Sequence, residues 1–297
     1  MSEPEGPQGE RGTSEPEGPS EEREMSERVR IGELSFDVRV GGPAAGPAVL
    51  LLHGFPENAS MWSGVEPTLH AAGLRTIAPD QRGYSPGARP AGVEAYSMHR
   101  VVADALGLLD AYGLGRAHVL GHDWGAAVGW NLAGRHPDRV ATLTAVSVPH
   151  PASHAGAMRH DEDQQRRSGY IAVFRRPDAE DMLLAEDARR LRAMFGPVPA
   201  EDFVRPLTAP GALTGPLNWY RAMSRRDLDG LGPITVPTTY VWGTDDLAVG
   251  RAAAEDCANH VAADYRFVEL PGVSHWVPEQ APDTVARLAL ERISPDR

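Results

Sequence analysis

Ala117-His118-Val119-Leu120-Gly121-His122-Asp123-Trp124-Gly125-Ala126 decides the fold. Ala117–Leu120 has the composition of a buried strand, and Ala126–Ala133 that of a helix. Between them the chain turns through Gly121 and Gly125, placed two residues on either side of Asp123. This G-x-D-x-G spacing between strand and helix fits a sharp elbow that presents one side chain at the strand's carboxyl end. The competing reading is that Asp123 only caps the helix, for which Asp is well suited. A carboxylate presented this way would attack a saturated carbon to leave an ester, whose carbonyl carbon water can attack afterwards. A serine in its place would leave an ether that water does not readily cleave.

Working outward, apolar β-rich runs alternate with amphipathic ones, the pattern of an α/β fold with a mostly parallel sheet and helices on both faces. Val29–Val40 reads as a hairpin, and Ala48–Leu52, Thr76–Ala78 and Val140–Val146 as strands. Met61–Ala72 and Ser97–Tyr112 read as helices stopped by Gly73 and Gly113. The alternation breaks over 149–232, which is rich in Pro, Arg and Asp and has helical patches such as Asp181–Met194. This segment reads as a helical lid inserted into a core of 25–148 and 233–297. The core then resumes with strands at Thr238–Trp242 and Tyr265–Leu270, a helix at Arg251–Val261 between them, and a last helix at Thr284–Ile293.

His53-Gly54-Phe55-Pro56 follows the strand Ala48–Leu52, where a backbone N–H can face the elbow. The N–H groups of Phe55 and Trp124 are therefore candidate oxyanion donors, with His53 beside them in the binding site. After the elbow come Asp246, beyond Trp242-Gly243, and His275, in Gly272-Val273-Ser274-His275-Trp276. Nucleophile, acid and histidine are thus in the chain order this kind of site requires. Spacing alone does not separate Asp246 from Asp245.

These segments resemble the α/β-hydrolase-fold epoxide hydrolases from about Ser26 to Ile293. The resemblance rests on His53-Gly54-Phe55-Pro56-Glu57, Asp80-Gln81-Arg82-Gly83-Tyr84 and Gly121-His122-Asp123-Trp124-Gly125, in order. It extends to Ser168-Gly169-Tyr170-Ile171-Ala172-Val173-Phe174 and Leu217-Asn218-Trp219-Tyr220-Arg221. It implies Asp123 as nucleophile, His275 as base oriented by Asp246, Tyr170 and Tyr220 as donors to the epoxide oxygen, a small-molecule epoxide and water as substrates, and no cofactor or metal. The sequence departs from the family after Tyr84, where it reads Ser85-Pro86-Gly87, which bears on loop shape or substrate range. Haloalkane dehalogenases are the alternative on this scaffold, but they need a second halide donor where Phe55 offers only a phenyl ring. Fluoroacetate dehalogenases carry an Arg where Trp124 stands. In a different class, His150, His154 and His160 with Asp161 and Asp163 could be read as a metal site, or more simply as polar residues of a solvated lid.

Composition narrows the partners. A net charge of −12 and one cysteine, Cys257, argue against polyanion binding, a disulfide framework or a cysteine zinc site. No apolar run is long enough for a membrane span or a secretory leader, which leaves a cytoplasmic protein as the expectation. Residues 1–24 carry eight Glu against two Arg and repeat Ser-Glu-Pro-Glu-Gly-Pro at 2–7 and 14–19, the composition of a disordered acidic tail.

Overall fold

Ala48–Leu52 (β3) is buried along its whole length, and the pleat sends alternate side chains to opposite faces. Ala48, Leu50 and Leu52 join one hydrophobic cluster, and Val49 and Leu51 another. Coverage on both faces explains why the run is continuously apolar. The protein, seen in a computed structural model, is described over residues 25–224 and 231–294; the expected acidic tail, 1–24, lies outside the described residues.

The other strands are Met25–Ile31 (β1), Leu34–Gly41 (β2), Arg75–Pro79 (β4), Ala117–His122 (β5), Val140–Val146 (β6), Thr238–Gly243 (β7) and Tyr265–Leu270 (β8). They form one sheet in the order β1-β2-β4-β3-β5-β6-β7-β8. β1 and β2 make the expected antiparallel hairpin, β2 runs antiparallel to β4, and the remaining pairs are parallel. Parallel neighbours need crossovers, and these supply the two helical layers. Met98–Ala111 and Trp124–Arg135 pack into the first cluster, Glu66–Ala71 and Pro282–Ile293 into the second.

Three expected helices differ in detail. In place of Met61–Ala72 there is a 3-10 turn, Ala59–Gly64, and then a six-residue helix, Glu66–Ala71. Pro67 has no N–H and its ring would clash inside a continuous helix, so the helix restarts with Pro67 in its first turn. Arg251–Val261 ends as a helix at Asp256 and continues as a 3-10 turn over Cys257–His260. The Asp181–Met194 patch lies in Ala179–Met194, which is interrupted where Glu186, Asp187 and Ala188 have positive φ. Nothing in the composition of that stretch signals the interruption.

Between β6 and β7 stand Pro151–His160, Glu162–Arg167, Gly169–Phe174, Ala179–Met194, Glu201–Leu207 and Thr214–Ala222, all helical. Specific contacts tie them to the loops that follow β4 and β7. Gly83, at φ +94°, meets Gly215 so closely that a Cβ on Gly83 would lie 2.8 Å from the Gly215 backbone. Trp219 Nε1 donates to the Arg82 carbonyl at 2.8 Å. The buried Gln164 amide donates to the Ala248 carbonyl at 2.8 Å and accepts from Gly250 N–H at 2.8 Å. Among the described residues no helix is long and apolar enough to cross a membrane.

Arg82 lies at this junction and is held by a buried bidentate pair, its Nε and Nη2 each 2.6 Å from Asp104 of helix Met98–Ala111. Asp104→Ala strands a buried guanidinium and is expected to cost about 3–5 kcal/mol in urea denaturation. Arg28→Ala, at the exposed Arg28–Asp37 pair, should leave the midpoint nearly unchanged. Equal losses would contradict this assignment.

Candidate active site

Asp123 sits where β5 turns into helix Trp124–Arg135, at φ 50°, ψ −118°. A non-glycine residue in the left-handed region is costly unless its surroundings enforce it. Here they do, because neighbouring backbones close so tightly on the turn that no Cβ fits between them. A Cβ on Gly121 would lie 2.3 Å from the Gly125 carbonyl oxygen, and one on Gly125 2.0 Å from that of Leu52. Gly54 is equally confined, its hypothetical Cβ 2.4 Å from that of Asp123. The Asp123 carboxylate does not cap its helix. Phe55 N–H donates to its Oδ1 at 2.8 Å, and Oδ2 lies 3.4 Å from His275 Nε2. The cap-only reading fails on this geometry.

His275 Nδ1 lies 2.8 Å from Asp246 Oδ2. The other Asp246 oxygen accepts from Ala248 and Val249 N–H at 2.7 and 2.9 Å, and its backbone carbonyl accepts from Arg167. Asp246, and not Asp245, therefore meets the imidazole. Burial alone would disfavour a charged His275, but the Asp246 and Asp123 carboxylates outweigh it and hold its pKa well above the ordinary value. Burial pushes the Asp123 carboxyl up, yet the hydrogen bond and charge of His275 bring it below the ordinary value. The resting arrangement is an imidazolium between two carboxylates, with no water-sized gap on its Asp246 side.

Tyr170 and Tyr220, from helices Gly169–Phe174 and Thr214–Ala222, stand above Asp123 with ring centroids 6.1 Å apart. Burial, with the Asp123 charge second, keeps both phenols protonated across the neutral range. The Trp124 ring lies edge-on to Tyr220 at 5.2 Å. Two apolar cavities, 80 and 190 Å³, meet at Asp123, Tyr170 and Tyr220. Phe55 and His275 line the larger, Trp124 the smaller.

His53 departs from the expected substrate contact. Its side chain is fully buried; Nδ1 lies 2.9 Å from the Gly54 carbonyl, and Nε2 accepts from Gln81 N–H at 3.0 Å. Burial drops its pKa to about 4, so it is a neutral brace with both nitrogens used. It shapes the turn that carries Phe55. The unusual loop after Tyr84 also points away from the cavities: Ser85 Oγ donates to the Asp80 carbonyl and accepts from Asp37 N–H, tying the loop to β2. His150 caps the helix that Pro151 begins and stacks on His260, while His154 faces Gln164 and Ser168, so these two histidines of the metal reading have separate roles.

Sequence reasoning gave no role to Glu57, His122, Gln164 or Glu279. His122 is fully buried behind Asp123, 2.8 Å from Glu57 and 2.9 Å from the His275 carbonyl. Glu57 and His122 stood inside quoted motifs, and charged or polar types amid apolar runs were the available signal. Glu279 gave none, because its neighbours come from distant segments.

Residues 47–282 match the α/β-hydrolase-fold family. The chain is 36% identical to epoxide hydrolase A of Mycobacterium tuberculosis, over 86% of this chain and 92% of that protein. It is 29% identical to epoxide hydrolase 3 of Xenopus tropicalis, over 91% and 77%. The crystal structure of epoxide hydrolase A from Mycobacterium thermoresistibile superposes with a TM-score of 0.80 at 31% identity, covering 91% of this chain and 98% of that one. The chain belongs to the epoxide hydrolases of the α/β-hydrolase fold.

Proposed function

We propose that this protein hydrolyses an epoxide to a vicinal diol through an ester on Asp123. The observation that carries this reading is an ionised Asp123 facing two protonated phenols across the point where both cavities meet. Asp123 attacks one oxirane carbon from behind, the C–O bond breaks, and Tyr170 and Tyr220 donate to the leaving oxygen. Forming the ester removes one of the two carboxylates that hold the proton on His275, so the imidazolium releases it. That proton replaces the one the phenols give to the alkoxide.

Neutral His275, oriented by Asp246, then takes a proton from water as the oxygen attacks the Asp123 carbonyl carbon. Phe55 N–H, already on an Asp123 oxygen, and Trp124 N–H stabilise the oxyanion. Collapse expels the diol oxygen with the proton from His275, and the free acid of Asp123 returns its own proton to the imidazole. The sum is epoxide plus water to diol, with every step carried by the chain's own groups. On this reading the segment 149–232 is the lid that brings the tyrosines to the core 25–148 and 233–297. A single buried cysteine, Cys257, accords with a cytoplasmic setting.

A halide would find the Phe55 ring without a donor, and the Trp124 indole N–H acts on the Tyr220 hydroxyl instead. Styrene-oxide-like epoxides should therefore give diols while chloro- and bromoalkanes release no measurable halide. Comparable halide release would favour the dehalogenase reading.

Tyr170→Phe and Tyr220→Phe should each lower the rate of ring opening by roughly one to three orders of magnitude, and the double variant should nearly abolish it. Because both phenols serve one oxygen, the losses should not add simply. Stopped-flow tryptophan fluorescence resolves this step. Full activity in the double variant would remove the tyrosines from the mechanism.

A further inference from the structure

Behind the site lies a chain of polar groups that the mechanism does not use. His122 adjoins the nucleophile, Glu57 lies two residues after Phe55, and Glu279 lies four after His275. Glu57 and His122 are fully buried, and Glu279, though partly exposed as a residue, has both carboxyl oxygens buried. The His275 carbonyl can only accept, so His122 Nε2 carries a hydrogen and donates to it at 2.9 Å. Burial, with the charge of His275 second, keeps the His122 imidazole neutral at physiological pH. Its Nδ1, 2.8 Å from Glu57 Oε2, is then an acceptor, and the hydrogen between them belongs to Glu57. Glu57 Oε1 and both Glu279 oxygens are left without a hydrogen-bond donor, and the two carboxyls face each other. Two buried carboxyls in contact do not both ionise.

We propose that Glu279 and Glu57 are protonated acids in the working protein, donating in series to His122 and so to the His275 carbonyl, and that they act as positioning residues whose deprotonation slows turnover at alkaline pH. The chain joins three segments that are distant in sequence: the turn bearing Phe55, the elbow bearing Asp123 and the loop bearing His275. Apart from each other, the titratable groups acting on the pair are Asp123, His275, His122 and Tyr84. Burial, reinforced by the Asp123 charge, pushes Glu57 up to about 7 against the opposing hydrogen bond from Glu279, while burial and then the Glu57 carboxyl hold Glu279 well above its ordinary value. The pair titrates as a unit. A carboxylate formed there leaves His122 Nδ1 without its donor and opposes the oxyanion that ester hydrolysis builds at Phe55 N–H.

The stability consequence has a definite sign. A raised acid keeps its proton in the folded state over a range where the unfolded chain gives it up. The folded protein therefore loses stability as pH rises from the ordinary 4.5 of Glu57 through about 7. Glu279→Gln removes part of that penalty, so its Tm relative to the parent should rise across this window.

Infrared difference spectroscopy of the full chain should show a protonated-carboxyl C=O band at neutral pH that disappears on alkaline titration and is diminished in Glu279→Gln. Turnover of styrene oxide should show an alkaline fall in kcat with little change in KM, and in Glu279→Gln that fall should move by about one pH unit or more. Absence of the band in the parent, or superimposable kcat profiles in parent and variant, would overturn the proposal. This inference rests on the epoxide hydrolase reading only in its kinetic arm. The infrared arm reads the acid pair even if no epoxide is turned over, so the two failures are distinguishable.

Discussion

The structure depends on holding one carboxylate in a conformation that its own backbone disfavours. Asp123 keeps a positive φ because Gly121, Gly125 and Gly54 let three backbones close around it with no space for a Cβ. The strain is offset by the packing of strand, helix and turn, and what it secures is direction. The side chain leaves the helix end, where it would have been a cap, and meets Phe55 N–H and His275. A carboxylate used as a cap would be a weaker nucleophile facing nothing.

Charge and burial then divide the labour. Asp123 is buried yet ionised because His275 is its counter-charge, and His275 is charged because it lies between two carboxylates. Such an arrangement is poised. On the proposed reading, esterifying Asp123 removes half of what holds the proton on His275, and the imidazole becomes a base only once there is an ester to hydrolyse. The tyrosines supply the opposite need, remaining protonated because burial and the Asp123 charge both oppose their ionisation. The sheet contributes position: the Phe55 turn and the Asp123 elbow extend the carboxyl ends of adjacent parallel strands, β3 and β5, and the Asp246 and His275 loops follow β7 and β8.

Much of this was legible in the chain. Periodicity located the strands, because two-sided burial leaves continuous apolar runs such as Ala48–Leu52, and glycine spacing located the elbow. Adjacent carboxylates were not separable by spacing; the family resemblance pointed to Asp246, and contact with His275 distinguishes it from Asp245 in the fold. His53 was misread because a histidine beside an active-site turn looks the same in sequence whether it meets substrate or braces backbone. The breaks at Val65 and at Ala185–Ala188 depend on local sterics and on tertiary packing. The Glu57–Glu279–His122 chain was invisible for a similar reason, since its members are brought together only by the fold.

The central claim is that Asp123 is the nucleophile of the first half-reaction and that His275 serves as a base only in the second, and trapping the ester tests it most directly. His275→Gln should still be alkylated but unable to activate water. Intact-mass spectrometry after adding styrene oxide should then show the protein heavier by one substrate, with peptide mapping placing the mass on Asp123, while Asp123→Ala shows no adduct. Parent-like turnover by His275→Gln, or a stall without any adduct although epoxide binds, would contradict the account.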